Sequence, residues 1–442
     1  MRSSPIRFPL KYITLHIIKM IQPNGSPFIR IWLTIIFSIL IRLTGFTQTN
    51  NSPYSIHAIG DITDNIINRT SGMASTGIAY RNNRYIITNN PAALSGLDNQ
   101  FFAGEIGVNG QYVDYSGSSV SQTNHQSSDI TFKRVSFGTK IFKHWGSAVG
   151  LVPFSEENYE YSGSRTIGGS GITLPTYDQG YGGINKVFWA NGYEFFHHLS
   201  IGITTSYLFG SIDNKNIILG QGSSIYISKN NNTFYNNLYL DYGLQYYASI
   251  NSHWDYTIGA VFANQSPLNT ETNVTIVNLD SNVLHSNLTV GSYNIPTSYG
   301  LGISVTKDKK YTFVADYKFQ NWSDLTSSTG DFFYKNSQRA SVGFEISKKK
   351  LAYNTLYETN FFQAGFYYNK TYLIVNGTPI NDIGGSVGLG VNSKRTPMSF
   401  LVVLQYGIKG TTYNNLLREN YVNLSFVFSL RELWYTQGRK FD

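Results

Sequence analysis

From residue 100 onward the chain repeats one pattern, in which bulky apolar residues alternate with small or polar ones before a turn follows. Leu199, Ile201, Ile203, Tyr207 and Phe209 alternate with Ser200, Gly202, Thr204 and Ser206, with Leu208 as an exception. Tyr299, Leu301, Ile303 and Val305 alternate with Gly300, Gly302 and Ser304; Val422, Leu424, Phe426 and Phe428 alternate with Asn423 and Ser425. A period of two gives each strand one apolar face and one small or polar face. A soluble sandwich would carry Lys and Glu on its outer face. Here the second face is Gly, Ser, Thr and Asn, with only occasional charges. That combination predicts an all-β, transmembrane antiparallel barrel whose apolar face meets lipid and whose small face lines the lumen. Closure leaves no unpaired backbone edge in the bilayer.

Composition agrees. Charged residues make up 14% of the 442 residues, against about 25% in an average globular protein. Aromatics reach 15%, with 33 Tyr and 28 Phe. The pattern excludes a coiled coil, an acidic disordered chain and a polytopic helical membrane protein, which would need several apolar runs of about 20 residues. With 0 Cys there are no disulfides, thiolate metal sites or cysteine nucleophile.

Hairpins read along the chain predict about 14 strands between residues 100 and 430. Short connections such as Phe196-His197-His198 alternate with long polar ones near 116–128, 162–176, 211–234, 264–294, 323–335 and 411–419, as external loops do. Trp145, Trp189, Trp254, Trp322 and Trp434 stand at strand ends and are expected at the lipid interfaces.

The first 47 residues hold six of the 34 basic residues and no acid, so most of the formal charge of +8 sits there. Within them Ile31–Ile41 is an apolar run behind Arg30, ending in Gly45 and Thr47, which is signal-peptide grammar. Residues 1–47 are therefore read as leader and signal, cleaved between Thr47 and Gln48. The basic charge thus carries no implication of nucleic acid. Residues 48–99 lack the alternation and fit a compact plug inside the lumen. Residues 100–430 form the barrel and 431–442 a tail.

Gly72 to Gly77, followed by Asn90-Pro91-Ala92, resembles the N-terminal hatch of the FadL/TodX-like outer membrane transport proteins, of which this chain would be a divergent member. The resemblance implies a fourteen-strand barrel with a hatch, and Gly72, Gly77, Asn90, Pro91 and Ala92 as hatch or gating residues. It also implies an irregular third strand. Pro153 falls there, and proline removes a ladder donor, so it is the expected kink.

None of the eight His stands at metal-ligand spacing to another His or carboxylate, and no nucleophile elbow or phosphate loop appears. The expectation is a non-enzyme without cofactor or metal, in the outer membrane of a Gram-negative bacterium, against lipid and lipopolysaccharide. It would take up hydrophobic small molecules passively, long-chain fatty acids among them. The alternative is a FadL-like barrel serving as a partner-binding component of a secretion apparatus, such as the type IX shuttle-like proteins. The mature chain is expected to start near Gln48 and to fractionate with outer membranes; N-terminal sequencing of the membrane-extracted protein checks this, and retention of residues 1–30 would refute it.

Overall fold

A computed structural model describes residues 52–433, apart from 64, 100, 119, 121–124, 167–171, 197, 221–224, 279–282, 326–331, 353–354 and 394–396. The leader and its cleavage site lie outside these residues. So does most of the expected tail.

The strands close into a ring. They are β1 (Phe101–Ser116), β2 (Gln126–Phe142), β3 (Trp145–Thr166), β4 (Thr173–Phe195), β5 (Leu199–Leu219) and β6 (Ile225–Ser249). β7 runs Trp254–Ala263 and resumes as Ser266–Asn278; β8 runs Val283–Ile295 and resumes as Ser298–Lys307. β9 (Tyr311–Gln320), β10 (Ser337–Ala352), β11 (Thr355–Val375), β12 (Thr378–Asn392), β13 (Met398–Gly410) and β14 (Arg418–Leu433) complete it. Each pairs antiparallel with its neighbour, and β14 returns to β1, with Phe426 opposite Val108. Counting the broken β7 and β8 once each, the barrel has 14 strands, as the hairpin spacing predicts.

Polarity is inverted relative to a soluble protein. In β5, Ile201, Ile203 and Tyr207 are exposed, while Ser200, Thr204 and Ser206 are buried. In β12, Leu389 is exposed between buried Gly388 and Gly390. Val149, Trp189, Phe313, Phe366 and Leu404 continue the outward apolar band. Such a surface is soluble only in a bilayer. Leu208, the exception in its strand, points inward and is buried with Ile59 and Ile184.

Three expectations change. Segments 211–234 and 264–294, read as loops, are largely strand: Asn214 pairs with Asn231, and Thr272 with Thr233 and Thr289. β6 has 25 residues, where crossing a bilayer needs about 9–11. Beyond the lipid a strand keeps its backbone ladder but no longer needs an apolar face, so the alternation vanishes and the sequence looks like loop. Trp322 is not at the lipid interface. It is fully buried in a short 3-10 turn and stacks on Tyr372 with ring centres 4.0 Å apart. Trp434 lies outside the described residues. The barrel's last strand also runs to Leu433, three residues beyond the expected end.

Leu389→Arg should lower barrel stability, because a cation on the outward apolar face meets hydrocarbon; the cost rises from about 0–1 kcal/mol near the interfaces to about 2–4 kcal/mol at the midplane. Urea titration of the heat-modifiable band in lipid vesicles measures it; an unchanged midpoint would mean that this face does not meet lipid.

Candidate functional site

Residues 52–99 lie within the ring, and the inner wall is shaped to receive them. Gly146, Gly192, Gly202 and Gly243 stand side by side on β3 to β6, each directly opposite the next. A β-carbon on them would run into Leu94, Pro91, Ala92 and Asn90 respectively. Gly259 and Gly302 face Ile78, and Gly343 and Gly365 face Met73. The wall backbone thus touches the inner segment's backbone around most of the circumference.

The residues singled out in sequence gather in this seat. Gly72 closes on Gly388 of β12, and its carbonyl accepts from Ser386 Oγ at 3.0 Å. The Gly77 and Ile78 amides donate to Asp316 of β9 at 2.6 and 2.9 Å. Asn90 caps the 3-10 turn Pro91–Gly96, accepting from the Ala92 amide at 3.0 Å. Its Nδ2 lies 2.9 Å from the Ile78 carbonyl, 3.0 Å from that of Leu244 and 3.2 Å from that of Ala260, so one side chain joins the segment to β6 and β7. Pro91 sets the first position of that turn. Ala92 is wholly buried beside Gly202.

Sequence reasoning missed the ionic anchors. Arg69, fully buried, donates to Glu345 at 3.0 Å and to both oxygens of Glu358 at 2.9 and 2.8 Å. Its guanidinium also sits 3.2 Å from the Phe361 ring centre. Burial opposes this charge, but Glu345 and Glu358 outweigh it and hold the pKa well above the ordinary arginine value. Arg134 of β2 pairs with Glu105 at 3.3 Å, and the Ile86 amide donates to the same carboxylate at 2.9 Å. A usable signal existed: on strand faces of Gly, Ser and Thr, a lone Glu or Arg must find a partner.

Above this seat the wall itself is interrupted. β2 and β3 pair only from Phe142↔Trp145 up to Val135↔Leu151. Beyond that rung β2 continues against β1 and β3 against β4, and the β3–β4 register slips between Pro153 and Ser155. Pro153 therefore stands where the ladder parts. Residues 52–63 take over the edge that β2 leaves. Asp61 and Ile62 pair with Glu156 and Ser155, the Thr63 amide donates to Phe154 O at 3.0 Å, and the Ser52 amide donates to Asn158 O at 2.8 Å. Lys133 of β2 reaches across to Glu156 of β3 at 2.5 Å. Outside, Ile130 and Phe132 are exposed on β2.

Behind the break lies a cavity of about 450 Å3 whose walls include Asp61, Asp129, Lys133, Glu156, Arg339 and Lys409. Lys409 pairs with Asp61 at 2.6 Å. Tyr54 donates to Leu417 O at 2.5 Å, and burial and then Glu419 push its hydroxyl pKa up to about 12. Tyr54, Trp322, Phe332, Tyr372 and Leu416 form an apolar cluster beside this cavity.

A closed fourteen-strand barrel with its own N-terminal segment in the lumen is the fold of the FadL-like barrels. The chain belongs to the BamG family, whose model matches residues 29–442. No curated protein matches it. Among solved structures it is similar to a Pseudomonas aeruginosa FadL homologue, at 12% identity over 85% of this chain and 100% of the other, with a TM-score of 0.59. The Pseudomonas putida toluene transporter TodX follows at 15% identity, covering 86% and 100%, with 0.53. The Ralstonia pickettii toluene transporter TbuX gives 13%, 82% and 97%, with 0.50. These likenesses are likenesses of fold.

Arg69→Ala leaves Glu345 and Glu358 buried without their cation, which costs about 3–5 kcal/mol. The strands pair with one another, so the expected result is a heat-modifiable barrel whose residues 52–99 become open to protease. Limited proteolysis in detergent distinguishes this from global unfolding.

Proposed function

We propose that the barrel passes small molecules with a substantial apolar part between the lumen and the membrane through the break between β2 and β3. The observation that carries this reading is the break itself. Unpaired backbone in hydrocarbon costs several kcal/mol per group, and a wall with no traffic through it gains nothing by parting there. Among the described residues, the edge given up by β2 is covered by a segment that is not part of the barrel, and that cover can leave without unzipping the ring.

In this reading residues 48–99 are the hatch. Gly72, Gly77, Asn90, Pro91 and Ala92 form its seat, and Pro153 is the kink that starts the opening. The similar solved barrels include a toluene transporter and a monoaromatic hydrocarbon channel, which supports an apolar cargo. Long-chain fatty acids fit less well, because Lys133 and Lys409 of the cavity wall are already paired with Glu156 and Asp61. The chain works by passage and not by catalysis. The second reading, a partner-binding component of a secretion apparatus, is favoured by the ionic anchoring of the inner segment through Arg69.

The chain has 0 Cys, so an engineered pair is clean. Ile62→Cys with Ser155→Cys joins two residues that already face each other. Oxidation should abolish uptake of naphthalene by cells carrying the barrel, and reductant should restore it. Deleting residues 48–96 should raise permeability to small hydrophilic solutes. If uptake ignores the cross-link and the deletion changes no conductance, the partner-binding reading replaces this one.

A further inference from the structure

The outer wall from β8 to β10 carries charge at one end only. Alternation turns Leu301, Ile303 and Val305 outward on β8, and the series ends on Lys307. On β10, Val342, Phe344 and Ile346 lead outward to Lys348 and Lys350. β9 begins between them with Tyr311 and Phe313. Leu301, Phe313 and Val342 are more than half exposed. No acid takes an outward position among the described residues of these three strands. Short turns close this end of the barrel and the long strand extensions lie at the other, so the lysines stand at the periplasmic face.

Lys307, Lys309, Lys310, Lys348 and Lys350 are all exposed there. Their two turns touch, since the Ser347 amide donates to Lys310 O at 2.8 Å. Lys307 Nζ lies 5.2 Å from the Trp254 ring centre and Lys310 Nζ 4.7 Å from that of Tyr311, so both charges sit at the level of interfacial aromatics. Asp308, the acid in the turn, accepts from His253 at 2.6 Å. Among the described residues none of these lysines forms an ion pair. Lys349 alternates inward opposite Glu358 and stands apart. A second observation comes from the backbone. Lys309 is left-handed, with φ 52°. Glycine or asparagine takes that conformation with less strain, so the charge is kept at a backbone cost.

We propose that Lys307, Lys309, Lys310, Lys348 and Lys350 bind the phosphate head of an anionic phospholipid in the periplasmic leaflet, whose acyl chains lie on the apolar wall directly above. The lysines supply positive charge that no protein carboxylate cancels. Leu301, Phe313 and Val342 supply the surface that hydrocarbon chains cover. A free phosphate would use only the first feature, and an acidic protein surface would leave the second unused. The site is separate from the break between β2 and β3 and does not depend on passage through it.

Native mass spectrometry of the purified barrel, delipidated in a neutral detergent, tests this with phosphatidylglycerol, phosphatidylcholine of the same chains, glycerol phosphate and polyglutamate. Phosphatidylglycerol should bind at least about tenfold more tightly than phosphatidylcholine, because several lysines act on a head that carries net charge. Lys307→Gln/Lys310→Gln/Lys348→Gln should bring the two lipids level, while arginine at the same three positions should keep the preference. Lys215→Gln/Lys229→Gln/Lys335→Gln removes as much charge at the opposite end of the barrel and should change nothing. Heat-modifiable mobility confirms that each variant is folded. Equal binding of the two lipids by the unaltered barrel would overturn the proposal, as would a preference that survives the first glutamine triple or is lost equally in the second. Displacement of phosphatidylglycerol by glycerol phosphate at equal concentration would make the patch a simple anion site, and displacement by polyglutamate at equal charge would make it a protein-docking surface; either result sinks the lipid site.

Discussion

Everything inside this barrel depends on how closely two backbones can approach. A lumen ringed by ordinary side chains would hold the N-terminal segment away from the wall, leaving water between them. Gly146, Gly192, Gly202 and Gly243 remove the side chains where Leu94, Pro91, Ala92 and Asn90 must fit. Close contact then allows direct bonding, as when Asn90 reaches the carbonyls of both Leu244 and Ala260. Glycine weakens a strand by about 0.5–1 kcal/mol. A closed ring of long strands tolerates that loss, because each of these glycines stands at a rung paired on both sides.

Charge is used sparingly and with consequence. On an inner surface of small residues, Arg69, Glu345 and Glu358 form one buried cluster, and Arg134 with Glu105 another. Buried ion pairs add little net stability, but losing one partner is expensive. They fix register, holding the inner segment in one position among many that a smooth glycine wall would accept. Asp316, accepting from the Gly77 and Ile78 amides, does the same with a single carboxylate.

The opening between β2 and β3 follows from the same economy. A barrel wall at membrane depth must satisfy every backbone group. β3 meets that demand past Pro153 by borrowing donors and acceptors from residues 52–63. The result couples two events, since the segment cannot leave its edge without opening the wall. Lys133 and Glu156 span the remaining interval with an ion pair, which is polar inside and flanked by Ile130 and Phe132 outside.

The sequence by itself determined the sheet, its closure and its lipid-facing side. Alternation is a local property of each strand, and the choice of Gly and Ser over Lys for the second face is visible one residue at a time. Gly72, Gly77 and Asn90-Pro91-Ala92 stood out through their resemblance to the hatch of the FadL/TodX-like proteins, in a segment that lacks the alternation. Only the tertiary structure decided which strand faces touch residues 52–99. Arg69 is 276 residues from Glu345 and 289 from Glu358, and no spacing rule links them. Strand extensions beyond the bilayer were illegible for a related reason: where both faces meet water, hydrogen bonding continues without leaving a mark in hydropathy. Trp322 misled because an aromatic near a strand end is equally suited to lipid or to an aromatic stack, and the partner that settles it, Tyr372, lies two strands away in the ring.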